Sequence, residues 1–313
     1  MVKIFNILSI IKITLVLINI SNAFSNSNSK YHLSSNNKLV ETKRISSKYN
    51  NIKDQCLIDK KLNNEICNID AELYIENHND IKNKKLIAIS PAGLRGFYLL
   101  GILSYIKNNY DTSNYIFTGA SAGAFNALFA TYKYDPNNIV NILDIENIFS
   151  YDKCSFSISK LQQNIKKALL NNFSTNDFEL DKLYIGVTTI KNFHTKTNIY
   201  HHFENLEDAI DACIASSNIP FITGNIIHKY NNLYSFDGGF SKYPFLHLFE
   251  PTLHITSDIW ENIDSNKKDK GSLFKIINDF IKFFFTSSCD FIQLYKKGYN
   301  DTEKNKNYLD GIL

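Results

Sequence analysis

The chain has 313 residues, 44% of them hydrophobic, which is enough for one sizeable domain with short appendages. The formal net charge is only +3 and no basic–aromatic repeat occurs, so bulk charge does not point to nucleic acid. The five cysteines (Cys56, Cys67, Cys154, Cys213 and Cys289) are too few for a disulfide scaffold, and their spacing matches no zinc site.

The amino-terminus reads as a targeting segment. Met1-Val2-Lys3 is a short basic start, residues 4–20 are mostly apolar, and Ser21-Asn22-Ala23 supplies the small residues a signal peptidase needs. Residues 1–23 are therefore expected to be a cleaved signal peptide leading into the secretory pathway. Lys12 and Asn19 fit a spanning helix poorly, and a signal-anchored membrane protein is the alternative. Residues 24–53 are rich in Ser, Asn and Lys and carry a single acid, Glu41, so they read as a disordered basic linker. Phe24 followed by a Ser-rich basic stretch also resembles the second half of the two-part presequence used by algae with secondary plastids, which makes a complex plastid a further destination to weigh.

Residues 54–313 are expected to form the main folded domain, with its core at 84–250. Cys56 and Cys67 flank a short polar loop and can pair in an oxidising lumen. Lys85 to Ser90 reads as a buried strand that runs into Pro91-Ala92-Gly93-Leu94-Arg95-Gly96, a small-residue loop, and then an apolar helix over 97–106. Residues 114–119 read as a second strand, and Ala122 to Tyr132 as a helix. Between them lies Gly119-Ala120-Ser121-Ala122-Gly123, a G-x-S-x-G sequence at a strand-to-helix turn. Such a turn projects the serine hydroxyl into open space and tolerates only small neighbours. Helices follow over 139–149 and 158–170, and strands over 183–190 and 198–203. Residues 207–216 form a short helix leading to Pro220, with Cys213 read as a buried, inert thiol. Leu233 to Phe240 places Asp237 at the end of an apolar strand, followed by Gly238 and Gly239, and 253–256 is the last strand. This alternation of strands and helices argues for an α/β layer fold.

The loop ending in Arg95-Gly96, the G-x-S-x-G and the D-G-G occur in an order that resembles the patatin-like phospholipases. So does Ala215-Ser216-Ser217-Asn218-Ile219-Pro220, which precedes the aspartate. The resemblance covers about 84–245. It implies a three-layer α/β fold, with a central, mostly parallel sheet and helices on both faces. It further implies a lipid acyl hydrolase of the phospholipase or galactolipase type, working through a Ser–Asp dyad and an acyl-enzyme. Ser121 would be the nucleophile, Asp237 the base, and the amides of Gly93, Leu94 and Arg95 the oxyanion hole. No metal or organic cofactor is implied, the substrate is a membrane lipid, and no obligate protein partner follows. Where the family often has D-G-G-G, this chain has Ser90-Pro91-Ala92-Gly93, and Pro91 has no N–H to offer.

Two other readings are carried alongside. A loop poor in donors suits a catalytically inactive lipid-binding or scaffold protein. His247 and His254 follow Asp237 in the chain order of a Ser-Asp-His α/β-hydrolase esterase. His194, His201, His202 and His228 precede it, and the pair His201-His202 is expected in a strand, on opposite faces and so unsuited to one metal. In the tail, residues 272–299 show apolar positions at helical spacing with interspersed lysines. This predicts an amphipathic helix that packs on the core or, through Phe283 to Phe285, makes peripheral contact with lipid. Asn172-Phe173-Ser174 and Asn300-Asp301-Thr302 are glycan acceptor sequences.

Overall fold

The computed structural model describes residues 65–67, 81, 83–149, 157–191, 194–220, 223, 228–240, 250–262 and 291–313. The chain divides into units 1–55 and 56–313, and every described residue lies in the second. The expected signal peptide and basic linker lie outside the described residues, as do Cys56, Cys154, Cys289, His247 and Phe283 to Phe285.

The strands are β1 (Glu65–Cys67), β2 (Lys85–Ile89), β3 (Tyr115–Gly119), β4 (Leu183–Lys191), β5 (His194–Tyr200), β6 (His228–Tyr230), β7 (Leu233–Phe236) and β8 (Leu253–Ile255). They form one sheet in the order β1-β5-β4-β3-β2-β8, with β7 added to β4 and β6 to β7. The central strands β8, β2, β3 and β4 run parallel, while β5, β7 and the pairs beyond them are antiparallel. The mixed α/β class expected from the alternating pattern is what the chain adopts. Parallel strands bury both faces, and in β2 this is visible residue by residue. Ile87 and Ile89 join the main core, and Leu86 packs with Ile116, Tyr184 and Ile199 on the other face.

The helices are α1 (Gly96–Asn109), α2 (Ala122–Ala130), α3 (Asn137–Ile145), α4 (Ile158–Asn172), α5 (Leu206–Ser216), α6 (Ile259–Asn262), α7 (Phe291–Lys304) and α8 (Lys306–Asp310). Asn205 caps α5 by accepting the N–H of Asp208 at 2.9 Å, the expected use of an Asn before a helical run. This sets where the helix starts and so brings its last residue, Ser216, beneath the site.

Two expectations need correction. The strand expected at 198–203 is β5, which starts four residues earlier and ends at Tyr200, because its hairpin register with β4 runs from Lys191 opposite His194 to Ile185 opposite Tyr200. His201 and His202 therefore lie beyond the strand and do not take opposite faces. His202 turns to φ 56° and the two rings come within 4.0 Å, centroid to centroid. The tail helix, where described, spends its apolar face on the core. Phe291 stacks on Phe97 at 4.4 Å, and Gly298 of α7 crosses α1 so closely that a Cβ there would sit 2.0 Å from the Tyr98 carbonyl oxygen.

Candidate active site

β4 decides where the chemistry can occur. Its edge opposite β5 is shared by two strands arriving from opposite directions. β3 runs parallel to it and pairs as far as Gly119 opposite Ile185. β7 runs antiparallel and ends with Phe236 opposite Thr188. The two strand ends point at each other across Gly186 and Val187. The residues leaving them, Ser121 from β3 and Asp237 from β7, meet in that gap.

Ser121 sits at a sharp elbow with φ 57° and ψ −128°, between β3 and the first turn of α2. A non-glycine residue in this region costs on the order of 1–3 kcal/mol and persists only where its surroundings impose it. The surroundings here are tight. A Cβ on Gly119 would meet the Gly123 carbonyl oxygen at 2.1 Å, and one on Gly123 would meet the Ile89 carbonyl oxygen at 2.3 Å. Both glycines of G-x-S-x-G are needed because backbone passes directly against backbone.

The Ser121 hydroxyl donates to Asp237 Oδ2 at 2.6 Å. Asp237 Oδ1 accepts the N–H of Gly239 at 2.7 Å, and its own N–H donates to the Asn218 carbonyl at 2.8 Å. Both carboxylate oxygens are thus aimed. Ser121 and Asp237 are each buried, at 7% and 5% exposure, so little water reaches the pair. Burial pushes the Asp237 carboxyl up to about 6, against the opposing pull of the Ser121 and Gly239 hydrogen bonds.

The small-residue loop closes the third side. Gly93–Arg95 forms one 3-10 turn, with Gly93 at φ 52°. A Cβ on Gly96 would lie 2.9 Å from Ala122 Cβ, and one on Gly239 would lie 3.2 Å from the Pro91 ring. Loop, elbow and D-G-G therefore converge. The N–H groups of Gly93 and Leu94, at the start of the turn, have no partner within it. The N–H of Arg95 does, since it donates to the Ala92 carbonyl at 3.0 Å and closes the turn. Of the three amides expected in the loop, that of Arg95 is therefore spent on the turn itself.

His254 stands apart from this pair. Its Nε2 lies 2.8 Å from Ser90 Oγ, and burial lowers its basicity. The Ser121 hydroxyl is directed to a carboxylate, so a triad through His254 is not formed. Among the described residues no group of three His, Cys, Asp or Glu is placed to hold a metal ion. Cys213 is fully buried in α5, and burial raises its thiol well above the usual range.

Two residues had no assigned role in the sequence reading. Ser216 Oγ donates to the Gly186 carbonyl at 2.6 Å and accepts the Ser121 N–H at 2.8 Å. Asn218 Nδ2 donates to the Ser235 carbonyl at 3.0 Å, tying the same segment to β7. Their only signal in the sequence is their place in the 215–220 segment.

Comparisons with known proteins bear on the family of the chain. A protein of Acanthamoeba polyphaga mimivirus, named Uncharacterized protein R571, is 28% identical over 216 residues, which cover 63% of this chain and 70% of that protein. A family model described as patatin-like phospholipase matches residues 87–249, just over half of the chain and the stretch that holds the loop, the elbow and the D-G-G. The chain belongs to the patatin-like phospholipase family.

Proposed function

We propose that the protein hydrolyses lipid acyl esters through a Ser121–Asp237 dyad. The observation that carries this reading is the 2.6 Å hydrogen bond from the Ser121 hydroxyl to a buried carboxylate at a strained elbow. A free serine hydroxyl is a weak nucleophile and needs a base within hydrogen-bond reach. An aspartate at its ordinary value is a poor base, and burial makes this one stronger. As Ser121 Oγ attacks the acyl carbonyl, its proton passes to Asp237. The negative oxygen of the tetrahedral intermediate is held by the N–H groups of Gly93 and Leu94, in place before the reaction begins. Asp237 then gives the proton to the leaving alcohol, and water attacking the acyl-enzyme repeats the sequence to release a fatty acid. The substrate class is a phospholipid or galactolipid at a membrane surface.

The test is fatty-acid release from mixed lipid vesicles by the wild type, Ser121→Ala and Asp237→Asn. Both variants are expected to lose at least about 1,000-fold in kcat, and chelators are expected to leave the wild type unchanged. Activity that survives in the Asp237 variant, or that requires calcium, would refute the dyad. A wild type that binds vesicles and releases nothing would favour the lipid-binding scaffold. We also infer delivery through the secretory pathway by cleavage after Ala23, with a complex plastid as the alternative destination. Amino-terminal sequencing of the mature protein, expected to begin at Phe24, checks the cleavage.

A further inference from the structure

We propose that Ser216 is a positioning residue that creates the elbow by standing between Ser121 and the sheet. The inference rests on the dyad reading above and extends it. β3 pairs with β4 as far as Gly119 opposite Ile185. Just beyond that point, the N–H of Ser121 and the carbonyl of Gly186 are joined through the Ser216 oxygen instead of to each other. A hydroxyl has a single proton to give. With that proton donated to Gly186, the Ser216 oxygen can only accept, and what it accepts is the N–H of the nucleophile's own residue. Ser216 is completely buried, so water cannot replace it on either side.

The consequence for Ser121 is geometric. Continued pairing along β4 would draw the Ser121 backbone into the gap that Asp237 enters from β7. The inserted hydroxyl holds it off. With the N–H held at one end and the first turn of α2 at the other, where Ala124 N–H donates to the Ser121 carbonyl at 2.9 Å, φ is pinned at 57° and Oγ stays aligned with Asp237 Oδ2. The same segment holds the base, because Asn218, two residues on, accepts the Asp237 N–H. One short stretch at the end of α5 therefore sets the spacing of nucleophile and base.

The experiment is Ser216→Ala, which removes one oxygen and little volume. Three quantities are measured: kcat and KM on a soluble short-chain ester, the rate of covalent labelling by a fluorophosphonate, and the crystal structure of the variant. The expected result is a fall of about 10–100-fold in kcat and in labelling rate, as for a small misplacement of a reacting group. KM is expected to stay within about twofold, because no substrate contact is removed. Ser121 is expected to leave its positive φ. Unchanged kcat and labelling in the variant, beside an active wild type, would overturn the Ser216 role and leave the dyad standing. A wild type that is inert to both ester and fluorophosphonate would overturn the dyad. In that case the crystal structure still decides the inference, since an elbow unchanged in Ser216→Ala would show that the hydroxyl does not hold it.

Discussion

Asp237 carries a cost that the proposed chemistry turns to use. Its carboxyl rises from 3.8 to about 6 because burial disfavours its charge. The folded chain therefore holds this proton more tightly than the unfolded chain. The resulting stability is present at low pH and is lost as pH climbs from about 3.8 to about 6. Above that window the ionised carboxylate costs about 3 kcal/mol. Asp237→Asn should therefore gain up to about 3 kcal/mol at pH 8 and almost nothing at pH 4, as measured by urea unfolding. An equal gain at both pH values would contradict the burial argument. The same group sets the expected pH profile. kcat/KM should rise through about pH 6 and level off above it, whereas an exposed carboxylate would have finished titrating near pH 4. Ser121 and Asp237 were legible in the sequence because each stands among glycines that few other structures require. The role of Ser216 was not, because its place in the 215–220 segment does not say which backbone groups its hydroxyl bridges.

At the scale of elements, the contact between α1 and α7 shows how tertiary packing overrides what a segment favours alone. Gly101 and Gly298 face each other's helix, and a Cβ at either would collide with backbone, at 2.1 Å from the Tyr295 carbonyl oxygen and 2.0 Å from that of Tyr98. Ala is the better helix former by about 1 kcal/mol, so propensity alone predicts that Gly298→Ala stabilises. The crossing predicts the opposite, a loss of about 1–3 kcal/mol as the helices are forced apart. Thermal unfolding settles the sign. Helical periodicity in the tail was readable from Phe291 and Tyr295, but periodicity does not name the surface that an apolar face covers. The carboxyl end of β5 was misplaced for a related reason. Its limits come from the hairpin register with β4, which the alternation of residues in β5 does not contain.

At the scale of the whole molecule, residues 291–313 belong to the core. Phe291 and Leu309 are buried at 1% and 0% exposure, and the Phe97 ring lies against Phe291. Removing residues 291–313 should abolish cooperative unfolding in far-UV circular dichroism along with activity. A truncated protein that still unfolds cooperatively would instead mark the helix as an appendage free to meet lipid. The sequence by itself determined the alternation of strands and helices, the serine elbow, the aspartate before two glycines and the family resemblance. These are local: each depends on residues within about one turn or strand, where steric demand and burial leave a readable mark. Tertiary structure alone decided that β3 and β7 end facing one another on a single edge of β4. It also decided that the Ser216 oxygen stands between the Ser121 N–H and the Gly186 carbonyl. Those facts depend on register and on hydrogen bonds between residues tens of positions apart, for which the chain's local composition holds no signal.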